Sequence, residues 1–305
     1  MTAIPSARFT VGVDIGGTHL SAAVVDTDVG RIIAETRCSA PVDSHAASEA
    51  ILKNWCTVID RARSGLSVVA IGIAMPGPFD YPKGISLIRG LDKYESLYGI
   101  NIRAELKARL NVTHPFSILF ANDATSFLVG ECRFGAAKTA TRVIGVTIGT
   151  GLGSCFYADG KIMASGENVP ENGWLYCVPH AGGIAEDSFS SRGILARARE
   201  SGFGAAMTVR ELAEACEAQL NPRQIFADFG RDLAEFLAPH ATKFGADCIV
   251  IGGNISRAWP LFAPSLLAGM RDTCPATHVC RSILLEDAAL IGAAGLPMLY
   301  SESNS

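Results

Sequence analysis

Two glycine-rich turns could bind the phosphate groups of a nucleotide. They are Asp14-Ile15-Gly16-Gly17-Thr18 and Gly149-Thr150-Gly151-Leu152-Gly153, and each follows an apolar stretch typical of a buried strand. Glycine lets backbone N–H groups come close to phosphate oxygens, and Asp14 could hold the accompanying Mg²⁺, directly or through water. The second turn has G-x-G-x-G spacing and precedes a strand, so it is not a dinucleotide-binding fingerprint. For the first turn, a plain hairpin with a solvated aspartate is the alternative interpretation.

Two further polar stretches come directly after predicted strands. Asn122-Asp123 stands where an open α/β sheet binds ligands, and Asp123 could accept the proton of a hydroxyl that attacks a phosphoryl group. Gly252-Gly253-Asn254 exposes backbone on which an adenine or a ribose could lie. The alternatives are an ordinary helix cap for the first stretch and a plain strand-to-helix turn for the second.

A segment rich in Gly, Pro and Asn contains Glu171, Trp174, His180 and Glu186. Carboxylates that accept hydroxyl hydrogens and an aromatic face for stacking are what a sugar site needs. An ordinary surface loop is the alternative interpretation of this segment.

The elements that would position these residues occur twice in the chain. A β-turn-β-turn-β pattern is predicted in each half, and the third strands carry the similar sequences Gly-Arg-Ile-Ile-Ala and Gly-Lys-Ile-Met-Ala. The predicted strands are 9–14, 19–25 and 31–38 in the first copy, and 142–148, 154–157 and 161–164 in the second. The repeat indicates gene duplication and two related α/β domains that face each other, with a nucleotide's phosphates held in the cleft between them.

Alternating strands and helices follow each copy, as in a mixed sheet covered by helices. Thr208 begins a capping box, and Asn221-Pro222 is a typical helix start. The further predicted strands are 66–75, 116–121, 248–251 and 282–285, and helices are predicted over 124–134, from 257 and at the C-terminus.

Composition excludes several classes of protein. The 305 residues are 49% hydrophobic and 18% charged, with a net charge of −4, which argues against a disordered chain and against a nucleic-acid-binding surface. No apolar stretch reaches the roughly 20 residues of a spanning helix, and no signal peptide is recognisable. The nine cysteines show no framework or Cys-x-x-Cys spacing, so we expect reduced thiols and a cytoplasmic location.

These motifs in this order resemble the ROK family (repressors, open reading frames and sugar kinases). The resemblance runs from Val11 to about Leu296, and it includes Gly130-Glu131 after the Asn122-Asp123-Ala124 segment. It implies an α/β fold of two duplicated ribonuclease H-like (actin-like ATPase) domains with an interdomain cleft. We place residues 1–121 with 288–305 in the smaller domain and residues 122–287 in the larger.

The resemblance also implies ATP and Mg²⁺ as cofactors and a hexose-type sugar as substrate. It makes Asp123 the general base and gives Asn122 a hydrogen bond to the sugar. The two glycine turns correspond to the family's phosphate motifs, and Gly252-Gly253-Asn254 corresponds to its adenosine motif.

The chain departs from the family pattern in its sugar-binding segment. The usual Glu-x-Gly-His is Glu171-Asn172-Gly173-Trp174, and the following stretch to Glu186 lacks the family's cysteine cluster, so we expect no zinc there. Glu186 corresponds to the family's second sugar-binding glutamate. The family's Asn-Leu is replaced by Gly90-Leu91-Asp92-Lys93-Tyr94, which makes Asp92 a candidate sugar contact.

The sequence therefore predicts an ATP-dependent, glucokinase-like sugar kinase. One rival is a catalytically degenerate ROK-family protein that binds sugar or a partner. A family transcriptional regulator is less expected, because only about eight residues precede the first strand. We expect a homodimer, with no nucleic acid and no membrane as partner.

Overall fold

The computed structural model describes residues 9–112, 116–204, 207–216 and 221–302. The described residues form two compact units, one within Met1–Phe134 and Glu286–Ser305, the other within Gly135–Leu285. The boundary falls after Phe134, one helix later than the boundary drawn from the sequence. Each unit has its own hydrophobic core.

The first unit is a mixed sheet with helices. Its elements in chain order are β1 (Phe9–Ile15), β2 (His19–Asp26), β3 (Arg31–Ile32), β4 (Cys38–Pro41), α1 (Ser48–Arg63), β5 (Ala70–Ala74), β6 (Phe79–Asp80), β7 (Ile85–Ser86), α2 (Ile102–Arg109), β8 (Ser117–Ala121) and α3 (Asp123–Phe134). The sheet order is β3-β2-β1-β5-β8, and β4 also pairs with β2. Because β1, β5 and β8 are parallel, their carboxyl ends meet at one edge of the sheet.

The second unit repeats this arrangement. Its elements are β9 (Arg142–Ile148), β10 (Leu152–Ala158), β11 (Lys161–Met163), β12 (Pro179–His180), β13 (Gly183–Ile184), α4 (Ala185–Ser188), α5 (Ser191–Glu200), α6 (Val209–Ala215), α7 (Asn221–Phe244), β14 (Cys248–Gly252), α8 (Trp259–Thr273) and β15 (His278–Arg281). The sheet order β11-β10-β9-β14-β15 has the same pattern of antiparallel and parallel neighbours as the first sheet. The equal topologies support the duplication inferred from the sequence.

The last helix, α9 (Ala288–Glu302), belongs to the first unit. It packs so closely on β1 and α3 that side chains would not fit at two glycines. A Cβ atom on Gly12 would lie 2.1 Å from the carbonyl oxygen of Leu290, and one on Gly292 would lie 1.7 Å from that of Ser126. The glycines therefore let the backbone of α9 lie directly against its neighbours.

The predicted third strand, 31–38, is wrong as a single element. A turn over Ala34–Thr36 divides it into β3 and β4. The Thr36 hydroxyl causes the break, because it accepts a hydrogen bond from the Val24 backbone N–H at 2.9 Å and donates one to the Ile33 carbonyl at 2.6 Å. A side-chain hydroxyl thus replaces a backbone group beside β2.

The predicted strand 282–285 is also wrong. The edge strand of the second sheet is β15, and the apolar residues after it form a turn in which the Leu285 N–H donates to the Ser282 hydroxyl at 2.8 Å. Ile283 and Leu285 are 64% and 49% exposed, so this apolar run does not enter the core. Strand 66–75 is shorter than predicted, since β5 begins at Ala70.

The helix starts read from the sequence are confirmed. Thr208 and Glu211 form the predicted capping box at α6: the Glu211 N–H donates to the Thr208 hydroxyl at 3.2 Å, and the Thr208 N–H donates to the Glu211 carboxylate at 2.7 Å. Helix α7 begins at Asn221. Among the helices of the described residues, none has both the length and the apolar character needed to cross a bilayer.

Candidate active site

Two carboxylates lie at the carboxyl edge of the first sheet. Asp14 is the next-to-last residue of β1 and pairs with Ala74 of β5, which pairs in turn with Ala121 of β8. Asp123 follows β8 after one residue and begins α3. The sheet register therefore brings Asp14 and Asp123 into one neighbourhood, although they are more than 100 residues apart in the chain.

Both carboxylates have raised pKa values. Burial raises the pKa of Asp14 from 3.8 to about 6, and the negative charge of Asp123 contributes to the rise. The surrounding protein also raises the pKa of Asp123, which remains reachable from solvent. The Ala124 N–H, the positive charge of Lys93 and the Asn122 side chain act in the opposite direction on Asp123. This edge of the sheet thus concentrates negative charge that a cation or a proton would relieve.

Asn122 has a fixed orientation. Its Oδ1 accepts a hydrogen bond from the Ala124 N–H at 3.0 Å, as a helix cap does, and its Nδ2 donates to the Tyr81 hydroxyl at 3.3 Å. Tyr81 in turn donates to the Met75 carbonyl at 3.0 Å. Tyr81 thus connects the loop after β5 to the start of α3, a role that sequence reasoning missed.

The first glycine turn joins β1 to β2. The Gly16 N–H donates to the His19 carbonyl at 2.9 Å, while Gly16, Gly17 and Thr18 are exposed. The Gly16 carbonyl accepts a hydrogen bond from the hydroxyl of Tyr94, whose ring is buried. Tyr94 therefore fixes the turn from its buried side, and the exposed side of the turn stays accessible to a ligand.

Asp92, the predicted sugar contact of the first unit, lies at the surface near His45. Its side chain is fully exposed, and its Oδ1 lies 3.9 Å from the Nδ1 of His45. The neighbouring Lys93 is the residue of this loop whose charge acts on Asp123. The assignment of this loop to the sugar site stays a prediction.

The second glycine turn is shorter than predicted. The Gly149 N–H donates to the Gly151 carbonyl at 2.9 Å, and the Gly149 carbonyl accepts hydrogen bonds from the backbone and hydroxyl of Ser191, both at 2.8 Å. Thr150 is exposed at the tip. Gly153 lies in β10, paired with Thr147, so it is a strand residue rather than part of the turn.

The Gly252-Gly253-Asn254 segment lies beside this turn. Gly253 has a φ of 78° and lies against the last residue of β9, since a Cβ atom there would be 2.4 Å from the Ile148 carbonyl oxygen. Asn254 is exposed and begins a 3₁₀ turn over Asn254–Ala258. Glycine is required at 253 because both the positive φ and the close approach exclude a side chain.

Glu186 also contacts the second glycine turn. Its Oε2 accepts a hydrogen bond from the Leu152 N–H at 3.0 Å, and its Oε1 accepts one from Arg192 at 3.2 Å. A Cβ atom on Gly151 would come within 2.6 Å of the Glu186 carboxylate. In this structure the residue predicted to bind sugar supports the turn predicted to bind phosphate.

The segment before Glu186 presents an aromatic surface. Trp174 is 40% exposed, and its ring centroid lies 5.7 Å from that of Tyr176. The Tyr176 carbonyl accepts a hydrogen bond from the Glu186 N–H at 3.0 Å. Glu171 is exposed in a short 3₁₀ turn, Glu171–Gly173, directly before Trp174. Trp174, Tyr176 and Glu186 therefore belong to one region of the second unit.

His180 packs in an aromatic cluster. Its ring centroid lies 4.8 Å from that of Phe189 and 5.4 Å from that of Phe236. These ring contacts give His180 a role in packing within this segment.

Comparison with known proteins now settles the family. The ROK family model matches residues 10–298. The chain belongs to the ROK family. As the motifs of this ROK protein predicted, its mixed α/β structure has the actin-like ATPase fold, with two sheet-and-helix domains.

Two curated relatives and one crystal structure show what this ROK protein is similar to. It is 27% identical over 313 residues to a glucokinase of Thermotoga maritima, with 94% of this chain and 96% of the relative covered. It is 26% identical over 300 residues to an N-acetylmannosamine kinase of Salmonella paratyphi A, with 93% and 97% covered. The crystal structure of a ROK family glucokinase from Streptomyces griseus in complex with glucose and AMPPNP shares the fold with a TM-score of 0.76, at 24% identity over 94% of this chain and 98% of that one.

Proposed function

We propose that this protein is an ATP-dependent kinase that phosphorylates a hydroxyl group of a hexose-type sugar. The carboxylate pair Asp14 and Asp123 carries the proposal, because phosphoryl transfer needs a base beside the acceptor and a binding site for the metal that accompanies ATP. The similarity to named glucokinases and an N-acetylmannosamine kinase supports the same reaction class.

Asp123 is the proposed general base. It accepts the proton of the sugar hydroxyl while that oxygen forms a bond to the γ-phosphorus and ADP leaves. A raised pKa makes its carboxylate a better proton acceptor than an ordinary aspartate, and its exposed surface lets a sugar approach. Asn122, which Tyr81 and the start of α3 orient, donates a hydrogen bond to the sugar.

Asp14 is the proposed residue for Mg²⁺, held directly or through water. The donor chemistry fits, since Mg²⁺ prefers carboxylate oxygens and water, and a divalent cation would favour the ionised form of Asp14, which burial and the charge of Asp123 disfavour. When bound, Mg²⁺ neutralises charge on the phosphate oxygens of ATP. The protein's own part is to hold Asp14 in place at the end of β1, where its raised pKa leaves the carboxylate ionised above a pH of about 6.

The two glycine turns are the proposed phosphate-binding elements. Gly17 and Thr18 in the first unit, and Thr150 with Gly151 in the second, lie at exposed or half-exposed positions from which backbone N–H groups can reach a phosphate. Gly16, whose N–H is bonded to the His19 carbonyl, shapes the first turn. Gly252-Gly253-Asn254 is the proposed adenosine-binding segment, since Gly253 leaves its surface free of side-chain atoms. Gly153 contributes through the strand that shapes the second turn.

Sugar binding is proposed for Glu171, Trp174 and Glu186. The exposed face of Trp174 can stack on the apolar face of a pyranose, and the two carboxylates can accept hydrogen bonds from its hydroxyls. For Glu186 this requires sharing its carboxylate with the Leu152 N–H. In the first unit, Asp92 stays a proposed sugar contact, and the positive charge of the neighbouring Lys93 lowers the pKa of Asp123.

The experiment measures ADP release with ATP, Mg²⁺ and a panel of hexoses, amino sugars and N-acetyl sugars. We expect ADP to form with at least one sugar, and kcat for that sugar to fall at least ~100-fold in Asp123→Ala. Sugar and ATP binding should stay measurable by calorimetry in this variant. Asp28→Ala, which removes an exposed carboxylate outside the site, is the matched control and should keep wild-type turnover.

Two results would contradict the proposal. Near-normal turnover of Asp123→Ala would refute the assignment of the base. If no sugar of the panel gave ADP, while sugar binding was detected, the protein would instead be a degenerate sugar-binding or regulatory member of the family.

A further inference from the structure

Two cysteines and a histidine come together at the amino ends of two parallel strands in the second unit. Cys248 is the first residue of β14 and pairs with His278, the first residue of β15, while Cys280 stands two residues further along β15. The Sγ atoms of Cys248 and Cys280 are 3.9 Å apart, and both lie within 4.8 Å of an imidazole nitrogen of His278. We propose that Cys248, His278 and Cys280 form a Zn²⁺ site.

The two sulfurs are already about as far apart as they would be when both bind one zinc ion. Tetrahedral Zn²⁺ with Zn–S bonds of about 2.3 Å separates two thiolate sulfurs by about 3.8 Å. Binding therefore requires almost no movement of Cys248 or Cys280. The imidazole must approach the sulfurs by up to about 1 Å, since an S–Zn–N arrangement separates the two ligand atoms by about 3.6 Å. His278 is exposed, so its ring can rotate to make this adjustment.

The donor set selects the class of metal. Two soft thiolates and one imidazole suit Zn²⁺ and disfavour Mg²⁺ or Ca²⁺, which prefer oxygen ligands. Each thiol releases a proton when its sulfur binds the ion, and the neutral imidazole donates its lone pair. Three protein ligands leave one position of the tetrahedron for water.

The location also suits an ion that enters from solvent. Ile249, Ile251 and Val279 alternate with the ligands along the same strands and belong to the hydrophobic core, so the ligands lie on the opposite face of the sheet. Cys248 is buried, whereas Cys280 is half-buried and His278 is exposed. The site is therefore open on the side of β15, the edge strand.

This site differs from the residues of the proposed function. Gly252, the last residue of β14, lies at the opposite end of that strand, about 13 Å away at ~3.3 Å per residue. The site is also separate from the 171–186 segment, where the family's zinc-containing stretch would be. Zinc would tie the edge strand β15 to β14 and so stabilise the second unit, without a part in catalysis.

The test titrates the full-length, reduced, metal-free protein with Zn²⁺ against a chromophoric chelator, and with Co²⁺ as a spectroscopic probe. We expect one Zn²⁺ per chain and a thiolate-to-cobalt charge-transfer band. Loss of a residue that merely hydrogen-bonds to a metal ligand already weakens metal binding ~10–100-fold. Cys280→Ser removes a ligand itself, so it should lower the affinity by at least ~100-fold. His278→Ala should lower it by at least ~10-fold, and it removes an exposed side chain, so folding is not at risk.

Cys177→Ser is the matched control. Cys177 is exposed and lies in the 171–186 segment, so wild-type zinc affinity in this variant would place the ion away from that segment. Zn²⁺ should also raise the melting temperature of the wild type by more than that of His278→Ala.

Three results would overturn the proposal. They are no zinc binding at micromolar concentrations, equal affinity of wild type, His278→Ala and Cys280→Ser, or a Cys248–Cys280 disulfide in protein purified under reducing conditions.

Discussion

Replacing Asp14 by asparagine should stabilise the folded protein while abolishing its kinase activity. Burial and the charge of Asp123 raise the pKa of Asp14 from 3.8 to about 6, so the folded state holds this proton more tightly than the unfolded chain does. At about 1.4 kcal/mol for each factor of ten, ionising Asp14 at pH 8 costs the folded state about 3 kcal/mol. An asparagine side chain cannot ionise, so the Asp14→Asn variant avoids that cost.

The pH dependence gives the sign of the effect. The cost of ionisation is complete above pH 6, and it declines as the pH falls toward 3.8, because the folded state is then protonated. Asp14→Asn should therefore raise the free energy of unfolding by up to about 3 kcal/mol at pH 8 and by only about 1 kcal/mol near pH 4.5. Wild-type activity should fall as the pH decreases through about 6, since protonated Asp14 cannot bind Mg²⁺.

Urea unfolding of the metal-free protein at the two pH values measures this difference. Asp28→Asn, at an exposed position in the next turn, is the control for loss of a negative charge. An Asp14→Asn variant less stable than the wild type at pH 8, or equally stabilised at both pH values, would refute the electrostatic account of this site. Retained ADP formation would refute the role of Asp14.

Three other substitutions test which contacts hold the glycine turns in place. Gly253→Ala should lower the free energy of unfolding by about 2–4 kcal/mol in urea titrations, because residue 253 has a positive φ and its Cβ would clash with Ile148. In Gly149→Ala the new Cβ meets no atom within 4 Å, so this free energy should change by only about 0.5 kcal/mol. Equal effects would contradict the close-approach argument. Tyr94→Phe removes the hydrogen bond to the Gly16 carbonyl, which holds the first turn in place. We expect the free energy of ATP binding to weaken by about 1 kcal/mol, which is a ~5-fold higher KM for ATP. An unchanged KM would mean that the turn does not depend on Tyr94.

The sequence was sufficient where a local pattern determines the structure. The glycine turn after Asp14 and the capping box at Thr208 were both predicted because their residues are close together in the chain. The repeat of the hairpin unit predicted two related domains, and the two sheets have equal strand orders. Local patterns also located Asp123 at the start of a helix.

The last strand was predicted wrongly because the run 282–285 is apolar. The run 282–285 looks like a buried strand, yet a serine hydroxyl makes it a turn with exposed apolar side chains. The true edge strand, His278–Arg281, has polar residues at both ends and gave no signal. Only Val279 of this strand is buried, so the strand needs few apolar residues.

The sequence did not predict contacts between segments that are far apart in the chain. Tyr94 reaches the Gly16 carbonyl across 78 residues, and nothing in either segment marks that partner. The same holds for Cys248, His278 and Cys280, whose spacing of about 30 residues matches no metal motif until parallel pairing of β14 and β15 brings them together. Strand register, which a spacing rule does not include, decides these contacts.

The most direct test of the proposed reaction follows the phosphoryl group itself. Wild-type protein and Asp123→Asn are given γ-labelled ATP, Mg²⁺ and the sugar that binds most tightly, and the labelled products are separated. Label transferred to the sugar by the wild type, and withheld by a variant that still binds both substrates, is the predicted result. Equal transfer by the two proteins would contradict the role of Asp123, and label released only as inorganic phosphate would contradict a sugar kinase.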